Sequence, residues 1–473
     1  MRMIICMILE GCYPYVRGGV SGWTDSYIRA MPEHSFILWT IAASDESRGH
    51  YKYKLPPNVM NVHEVFLDAA FKRQYYKNNV TRFTPAEIGY IQKMIHTTDP
   101  EWEKLFQCFR RTSENPVSFL MSEQFLQIVK QLCISKFQNI AFSELFYCLR
   151  SMFLPLIYLM GQPIPRADIY HATATGFGGI LGAMGKWRYQ KPYILTEHGI
   201  YTREREEEIL RSKWVGPSFK DIWIQLFNML SRCAYSKADA VTSLFERAKE
   251  TQIQLGCLPG KCLVVKNGID YEKFASIPMK APNGFIDIGA IVRIAPIKDI
   301  KTMVYSFAAL KHDFPQARLH ILGDTDDQEY YEECVALIAS LEVQDILLVG
   351  NTDVKAYLEK LDFTILTSIS EGQPLALIES LAAGRPCVVT DVGSCRELVE
   401  GDKDDTIGAA GICIPPMHRA ALTNAMLKLC RSESIRNAMG IAGKQRIMKL
   451  YTHERMIKTY ERVYRKAQMK WPE

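Results

Sequence analysis

Short apolar runs alternate with helical segments along this chain, and the alternation occurs twice. The candidate strands of the first half are residues 2–9, 35–42, 60–66, 168–171, 193–197, 239–243 and 262–265. Those of the second half are residues 286–292, 318–322, 346–349, 363–367, 387–390 and 412–414. Strands that alternate with helices are typical of parallel-sheet α/β units. The pattern therefore predicts two doubly wound Rossmann-like sheets, with ligands expected at the carboxyl ends of their strands.

The two halves predict two domains and one crossing helix. A run of turn residues without a period, from Ala275 to Phe285, separates the two sheets. We predict an N-terminal domain over residues 1–275, a C-terminal domain over residues 276–450, and a helix within residues 451–473 that packs back on the first domain. Residues 71–165 are rich in Phe, Leu and Met and are predicted to form a helical insertion. The insertion either covers a domain face, forms a dimer contact or contributes to substrate binding.

The composition limits the classes of partner. Among 473 residues, 57 Lys and Arg stand against 52 Asp and Glu, which is a formal net charge of +5. So small an excess of positive charge, without a dense basic stripe, argues against a nucleic-acid partner. It permits anionic small molecules as substrates. The 13 cysteines form no CxxC pair and many lie in apolar runs, which favours reduced thiols in a cytoplasmic protein. The apolar start is short and ends at Glu10, so it is predicted to be a core strand rather than a signal peptide.

Two carboxylates, Glu371 and Glu379, bracket a predicted loop-to-helix junction. Glu379 has apolar neighbours on both sides along the chain, so its helix is expected to be largely buried. A buried carboxylate is costly unless a donor pairs with it. The donor is either internal, such as an arginine or a backbone N–H, or it is the hydroxyl groups of a ligand.

The residues between the two carboxylates favour a ligand at the start of the helix. Gly372 permits tight backbone geometry, and Pro374 suits the first helical turn, where no N–H is required. The N–H groups around Gln373 and Leu375 then face a phosphate or a sugar at the helix N-terminus. Glu379, about one turn further on, is placed to accept both hydroxyl groups of a ribose. The alternative is an ordinary packed helix whose glutamates make caps and salt bridges.

Two earlier loops carry further candidates. Arg293 and Lys298 follow the first strand of the second half, where they can converge on one pyrophosphate and neutralise a diphosphate leaving group without a metal. The alternative is a pair of solvated loop cations. Gly18 and Gly19 follow the first strand of the chain and precede a helix predicted over Trp23 to Met31, so the backbone can approach a ligand there. Glycine turns after strands are also common for purely structural reasons.

One histidine lies at a strand end, where catalytic residues collect in open α/β sheets. His198 directly follows the predicted strand 193–197, and its neutral imidazole could hydrogen-bond a sugar hydroxyl or stabilise a developing positive ring. A structural role is equally compatible with this position. His171, which is similarly placed, is interpreted as structural. We find no P-loop, no G-x-S-x-G elbow and no H-E-x-x-H pair, and predict no metal site and no separate cofactor.

The order of these features resembles that of a known enzyme family, the retaining GT-B glycosyltransferases of family four. The shared features are a Gly-Gly loop near the N-terminus, a strand-end histidine, Lys266 to Asp270, Arg293 with Lys298, and Glu371-x7-Glu379. The resemblance covers nearly all of residues 1–30 and 160–460. The start from Gly11 to Ser21, together with the helical insertion, resembles more narrowly the cytosolic glycosyltransferases of Pel exopolysaccharide systems.

The resemblance implies a fold and an activity. The fold would be GT-B, with two Rossmann-like domains facing a central cleft. The activity would be metal-independent transfer of a hexose from a UDP-linked sugar to a growing biofilm exopolysaccharide, with retained anomeric configuration. The implied partners are the nucleotide sugar and a polysaccharide acceptor, with a membrane synthase as a candidate partner that would bring this cytoplasmic protein to the inner face of the membrane.

The resemblance also implies residue roles. Catalysis would involve His198 at the donor sugar, Arg293 and Lys298 at the diphosphate, and Glu371 at the transferred sugar. Substrate-binding roles would fall on Gly18 and Gly19 near the scissile bond, Asn351 and Val354 at the base, Gly372, Gln373, Pro374 and Leu375 at the sugar, and Glu379 at the ribose. Many relatives place glycine where this chain has Val292 and Asp299, so the shape of the loop around Lys298 is in question.

Two other functions stay open from the residues alone. A sugar-nucleotide epimerase of the same fold would keep the nucleotide site but would need additional acid/base carboxylates. A nucleotide-sugar-binding scaffold for a membrane synthase complex would bind the nucleotide without turnover. Release of free UDP, measured with and without an acceptor, separates these functions from glycosyl transfer.

Overall fold

Two parallel β-sheets organise the chain, as the alternation of apolar runs predicts. The computed structural model describes residues 2–72, 82–111, 116–402 and 405–469. Its strands are β1 Ile4–Glu10, β2 Ser35–Ala42, β3 Val59–Phe66, β4 Ile169–Ala172, β5 Tyr193–Glu197, β6 Ala240–Ser243, β7 Cys262–Val264, β8 Ile286–Ile291, β9 Ala317–Leu322, β10 Ile346–Gly350, β11 Phe363–Leu366, β12 Cys387–Thr390 and β13 Gly411–Ile414. Every predicted strand is confirmed, with ends that differ by two residues at most.

Helices connect most of these strands. They are α1 Gly19–Arg29, α2 Asp68–Lys72, α3 Pro85–Ile95, α4 Trp102–Arg110, α5 Pro116–Leu120, α6 Glu123–Lys136, α7 Phe142–Met160, α8 Phe177–Tyr189, α9 Tyr201–Arg211, α10 Lys220–Lys237, α11 Glu246–Gln254, α12 Tyr271–Ala275, α13 Ile300–Asp313, α14 Gln328–Ser340, α15 Val354–Leu358, α16 Leu375–Ala382, α17 Cys395–Glu400, α18 Arg419–Arg431, α19 Glu433–Leu450 and α20 His453–Met469. Helix α1 begins at Gly19 rather than at the predicted Trp23. Burial of Ser21, Trp23 and Tyr27 on one face outweighs the low helix propensity of glycine.

Contacts within the chain define two units. The first unit comprises Met1–Ser243, Ala248–Val264 and the chain from Tyr460 onward, and the second comprises Leu244–Arg247 and Val265–Thr459. The second unit therefore begins before the predicted boundary at 275/276, because Ile269 and Phe274 are buried in its core. Residues 470–473 of the predicted last segment lie outside the described residues.

The sheet of the first unit has the strand order β3-β2-β1-β4-β5-β6-β7, with all strands parallel. Strand β1 lies in the middle, where Ile8 pairs with Trp39 on one side and with Ala172 on the other. Its side chains are buried on both faces, which explains its near-continuous apolar sequence. The direction of winding changes between β1 and β4, so the switch point of this sheet lies at the end of β1.

The predicted helical insertion forms helices α3 to α7, between β3 and β4. Residues 73–81 and 112–115 of the predicted range lie outside the described residues. The insertion shares the core of the first unit, where Phe83, Phe109, Phe119 and Phe125 make edge-to-face ring contacts. Helix α7 has the length and composition of a membrane span, but half of that stretch is buried inside this unit. Within the described residues, the insertion therefore forms part of the core.

Helix α20 reaches the first unit through buried tyrosines. The hydroxyl of Tyr464 lies 2.5 Å from that of Tyr27 and 2.6 Å from Nδ1 of His171, whose Nε2 lies 2.7 Å from Oγ1 of Thr196. The structural interpretation of His171 is confirmed, because both of its ring nitrogens have partners inside the fold.

The second unit contains a six-stranded parallel sheet in the order β10-β9-β8-β11-β12-β13. Here the winding changes between β8 and β11, so the loops that follow these two strands meet at the switch point. The loop after β8 carries Arg293 and Lys298, and the loop after β11 carries Glu371. The sheet topology thus gathers the predicted charged residues at one edge.

Candidate functional site

Glu371 and Lys298 form a half-buried ion pair in the second unit. Nζ of Lys298 lies 2.5 Å from Oε1 of Glu371, and the hydroxyl of Ser368 donates to the same oxygen at 2.6 Å. The lysine retains further N–H donors. Neither of these two bonds uses Oε2 of Glu371, so this oxygen keeps its lone pairs for other donors. The pair can therefore contact a phosphate through the lysine and a hydroxyl group through the glutamate.

The loop that holds Lys298 contains one residue in the left-handed backbone conformation, at Asp299. Asp299 has φ 48° and ψ 52°, a left-handed conformation that glycine favours and aspartate tolerates. Its carboxylate caps α13 by accepting from the backbone N–H of Thr302, and Thr367 donates to the carbonyl of Lys298 at 2.8 Å. The left-handed conformation of Asp299 and its cap on α13 thus fix the loop geometry on which the position of Lys298 depends.

Arg293 is placed differently from Lys298. Its guanidinium pairs with Asp326, and its side chain is 65% exposed. Nδ2 of Asn351 donates to Asp324 at 3.0 Å, so Asp324 and Asp326, two positions apart, hold two of the predicted site residues. This acidic pair was missed in the sequence. Arg293 and Lys298 have different acidic partners, and the structure does not show them converging on a common point.

The side chain of Gln373 has a structural role. It accepts from the backbone N–H of Asn267 at 2.6 Å and donates to the carbonyl of Leu244 at 3.3 Å. The prediction that Gln373 binds a ligand can hold only for its backbone. Asn267 was missed as a partner of this loop, although it belongs to the Lys266–Asp270 stretch.

The start of α16 leaves backbone donors free. Pro374 occupies the N-cap position, one place before the predicted first turn, and no side chain caps the helix. Within the described part of the chain, the N–H groups of Gly372, Gln373 and Leu375 make no hydrogen bond. Leu375 itself and Val354, the first residue of α15, pack against the core of the second unit.

Glu379 lies in the second turn of α16 and has no internal partner. Its carboxylate makes no hydrogen bond and no ion pair with any residue that the structure describes. Burial raises the pKa of Glu379 to about 7, and the distant charge of Lys273 lowers it only in part. Of the two donors that the sequence left open, the internal one is therefore absent from the described residues.

His198 belongs to the first unit and packs against Trp23. The two rings meet edge to face at 4.6 Å between centroids, and Trp23 in turn stacks on Tyr27. Burial lowers the pKa of His198 to about 4, so the imidazole is neutral at pH 7. Its Nε2 is buried and has no hydrogen-bond partner among the described residues.

Gly18 and Gly19 lie in the first unit at the start of α1. Gly18 is the N-cap and makes no side-chain cap, and a Cβ at either glycine would meet no atom within 4 Å. Packing within the chain therefore does not require glycine at these two positions. Among the described residues, no group of three or more His, Cys, Asp or Glu side chains is arranged to hold a metal.

Gly393 was missed in the sequence, yet it shapes the Glu371 loop. It has φ +54°, and a Cβ there would lie 2.2 Å from the carbonyl oxygen of Glu371 and 2.4 Å from that of Gly372. We expect Gly393→Ala to displace this loop and to abolish most ligand binding by the second unit. Titration calorimetry with UDP should show a loss of affinity of about tenfold or more, because overpacking against the two carbonyl oxygens typically costs about 1–3 kcal/mol and the loop must move to relieve it.

Gly284→Ala is the matched control for this variant. Gly284 has φ +80°, and a Cβ there would meet no atom within 4 Å. The control therefore introduces similar backbone strain without the clash, and we expect UDP affinity to be retained. Equal affinities in the two variants would show that the contact between Gly393 and the loop is unimportant for binding.

Family models match both units. Residues 3–260 match the family described as a domain of unknown function, DUF3492, and residues 278–446 match the family described as glycosyl transferases group 1. The chain belongs to the DUF3492 family, and its second unit matches the glycosyl transferases group 1 family. A curated relative, the MMP α-(1→4)-mannosyltransferase of Mycolicibacterium hassiacum, is 23% identical over 58% of this chain. The chain spans 66% of the length of that relative.

Solved structures of other proteins have the same fold as this chain. HepE from Anabaena, in complex with UDP and glucose, has a TM-score of 0.58 at 13% identity and covers 97% of this chain and 98% of its own. Sucrose-phosphate synthase from Thermosynechococcus elongatus has a TM-score of 0.61 at 15% identity and covers 98% and 99%. The two Rossmann-like units therefore have the GT-B fold, as the resemblance implied.

Proposed function

We propose that this protein is a retaining glycosyltransferase that moves a hexose from a UDP-linked sugar to a growing exopolysaccharide of the Pel type, without a metal. The observation that carries the proposal is the state of Glu379, a half-buried carboxylate in an apolar helix with no partner among the described residues. Such a group is costly to maintain unless a ligand supplies the missing donors. A ribose offers two adjacent hydroxyl groups and satisfies this requirement.

The surroundings of Glu379 support a nucleoside diphosphate in particular. Free N–H groups at the start of α16 and the positive end of its dipole favour negative charge. Lys298 supplies a cation at the same switch point, with donors to spare beyond its bond to Glu371. The solved complex of HepE contains UDP and glucose, which supports a UDP-linked donor for the proposed reaction.

The proposed mechanism needs no covalent nucleophile on the protein. The bond between the anomeric carbon and the diphosphate breaks first, and Lys298 with the helix amides stabilises the charge that develops on the leaving group. The acceptor hydroxyl attacks the oxocarbenium-like carbon from the face that the diphosphate leaves. Its proton passes to a diphosphate oxygen, so the anomeric configuration is retained. Glu371 holds hydroxyl groups of the transferred sugar through its Oε2.

We expect Glu379→Gln to weaken UDP binding and to stabilise the free protein at the same time. The amide keeps one acceptor but lacks the charge, so UDP affinity at pH 8 should fall about 10- to 100-fold. The raised pKa of Glu379 means that its ionisation destabilises the free wild type as the pH rises through about 7. The melting temperature of the second unit should therefore be higher in the variant at pH 8, and close to that of the wild type at pH 5.

The pH dependence of binding gives the second measurement. Hydroxyl donors of UDP favour the ionised carboxylate, so wild-type affinity should decrease as the pH falls below about 7. The affinity of Glu379→Gln should not follow this change. Glu359→Gln, which alters an exposed carboxylate of the same unit, is the control and should behave as the wild type. If the wild type and Glu379→Gln bind UDP equally at pH 8, the nucleotide is not held by Glu379.

Turnover distinguishes the proposed enzyme from its alternatives. The transferase should release UDP faster when a glycan acceptor is added, whereas a scaffold would bind UDP and release none. An epimerase would convert the UDP-sugar without net release of UDP. The proposal of a membrane synthase partner is independent of these results and requires a separate binding measurement.

A further inference from the structure

The switch point of the first sheet has chemistry opposite to that of the second. Glu10 is the last residue of β1, at the point where the direction of winding changes. One of its oxygens, Oε2, accepts from the backbone N–H of Gly178 in the first turn of α8 at 2.9 Å. The other, Oε1, accepts from the hydroxyl of Tyr201 at 3.0 Å. A carboxylate of the protein thus occupies the place where a Rossmann-like fold ordinarily receives a phosphate.

The neighbouring residues are fitted to this arrangement. A Cβ at Gly176 would lie 2.1 Å from the hydroxyl oxygen of Tyr201, so only glycine leaves room for the tyrosine at the start of α8. The guanidinium of Arg205 lies 5.0 Å from the centre of the Tyr201 ring and pairs with Glu208 at 2.5 Å. Without the carboxylate of Glu10, the N–H of Gly178, the hydroxyl of Tyr201 and the positive charge of Arg205 would form an anion site.

The loop after β5 and the first turn of α9 each contain a buried polar side-chain atom without a partner in the described part of the chain. Nε2 of His198 and Oγ1 of Thr202 are both buried and have no hydrogen-bond partner among the described residues. Thr202 is 6% exposed, so bulk water does not satisfy its hydroxyl. Neither atom carries a positive charge at pH 7, because burial lowers the pKa of His198 to about 4. A ligand rich in hydroxyl or amino groups would form hydrogen bonds with both atoms. A phosphate would find no positive charge on either side chain.

We propose that Glu10 determines which class of ligand the switch point of the first sheet accepts: it excludes phosphate and carboxylate groups and restricts this position to neutral or cationic sugars. The carboxylate repels a second anion and keeps further lone pairs for hydroxyl or ammonium donors. The identification of that sugar as the acceptor rests on the proposed function. The exclusion of anions by Glu10 does not, and it can be tested whether or not the protein transfers a sugar.

Inorganic pyrophosphate is a suitable probe, measured by titration calorimetry on the full chain with UDP present in excess. Excess UDP occupies the proposed site of the second unit, so the titration reports on other anion sites. The wild type is expected to bind no pyrophosphate under these conditions. Glu10→Ala should gain one pyrophosphate per chain, with an affinity about tenfold or more above the wild-type limit. Mutation of Arg205 to Ala in the Glu10→Ala background should remove the gain.

Two further variants make the result decisive. Glu10→Ser provides a second small replacement in case Glu10→Ala does not fold, and Glu46→Ala removes an exposed carboxylate of the same unit and should change nothing. Pyrophosphate binding by the wild type beside UDP, or no gain in either folded Glu10 variant, would overturn the proposal. Failure of UDP to bind at all would instead contradict the proposed function. In that case the number of pyrophosphate molecules bound per chain, compared between Glu10→Ala and the wild type, would still decide the role of Glu10.

Discussion

Replacement of Lys298 by alanine is expected to reduce turnover of a UDP-sugar about 100- to 1,000-fold, the usual cost of removing one donor aimed at developing negative charge. The lysine ammonium is held by Glu371 at 2.5 Å, and the hydroxyl of Thr367 holds the lysine's backbone carbonyl at 2.8 Å, so the side chain needs no rearrangement as the diphosphate departs. UDP affinity should fall less, since the unused amides at the start of α16 stay available to the phosphates. The release of UDP under saturating donor measures the effect on turnover directly.

Lys301 offers a matched control for this prediction. It lies three positions further on, in the first turn of α13, and pairs with Glu333 at the surface. Because exposed ion pairs contribute little, Lys301→Ala should keep wild-type turnover. Lys298→Arg retains the charge but changes the geometry, and should restore part of the rate. Turnover of Lys298→Ala within twofold of the wild type would remove the lysine from the mechanism.

Arg293 should contribute less than Lys298, although the sequence presents the two cations as equivalent. Its side chain is 65% exposed and already paired with Asp326, so solvent screens its charge. The double variant Arg293→Ala with Lys298→Ala should therefore resemble Lys298→Ala alone in turnover.

Replacement of Asp287 by alanine is expected to destabilise the second unit by about 3–5 kcal/mol, because Lys280, Arg318 and His320 lose the buried carboxylate that they share. Asp287 is 2% exposed at the start of strand β8 and contacts Arg318 and His320 on β9 and Lys280 on the preceding loop. Hydrogen exchange of the β8 and β9 amides measures the loss locally, with an acceleration of about 100-fold or more. Amides of the first sheet provide the internal reference.

The pH dependence of stability follows from the same contacts. Burial by itself raises the pKa of Asp287, but hydrogen bonds from His320, Arg318, Lys280 and Asn283 outweigh it and hold the pKa well below its ordinary value of 3.8. The carboxylate therefore stabilises the fold fully above that value, and the contribution is lost as the pH falls below it. Asp313→Ala, at an exposed position, is the control and should change exchange little. Unchanged hydrogen-exchange rates in Asp287→Ala would show that the contacts of Asp287 make no net contribution to the stability of the second unit.

The fold could be predicted from the sequence to within two residues at every strand, because buried parallel strands need apolar runs whatever their neighbours are. The helix of Glu379 could be predicted for a similar reason, since Pro374 and the following apolar residues specify it locally. Helix α1 was predicted to start four residues too late, because Gly19 and Gly22 have low helix propensity and the helix is stabilised mainly by the burial of its later residues. Gly393 was not predicted, because its contact with Glu371 joins loops that are distant in the chain.

The amino-acid sequence by itself determined the two parallel sheets, the residues at the ends of their strands and the apolar helix that carries Glu379, since all of these depend on local pattern. Only the tertiary structure decided which charges pair. Lys298 pairs with Glu371, and Arg293 pairs with Asp326. The side chain of Gln373 accepts from the backbone of Asn267, and Glu10 accepts from the backbone N–H of Gly178 at the start of α8. Hydrogen bonds and ion pairs require atoms within about 3 Å of each other, and that distance is set by the packing of segments far apart in the chain.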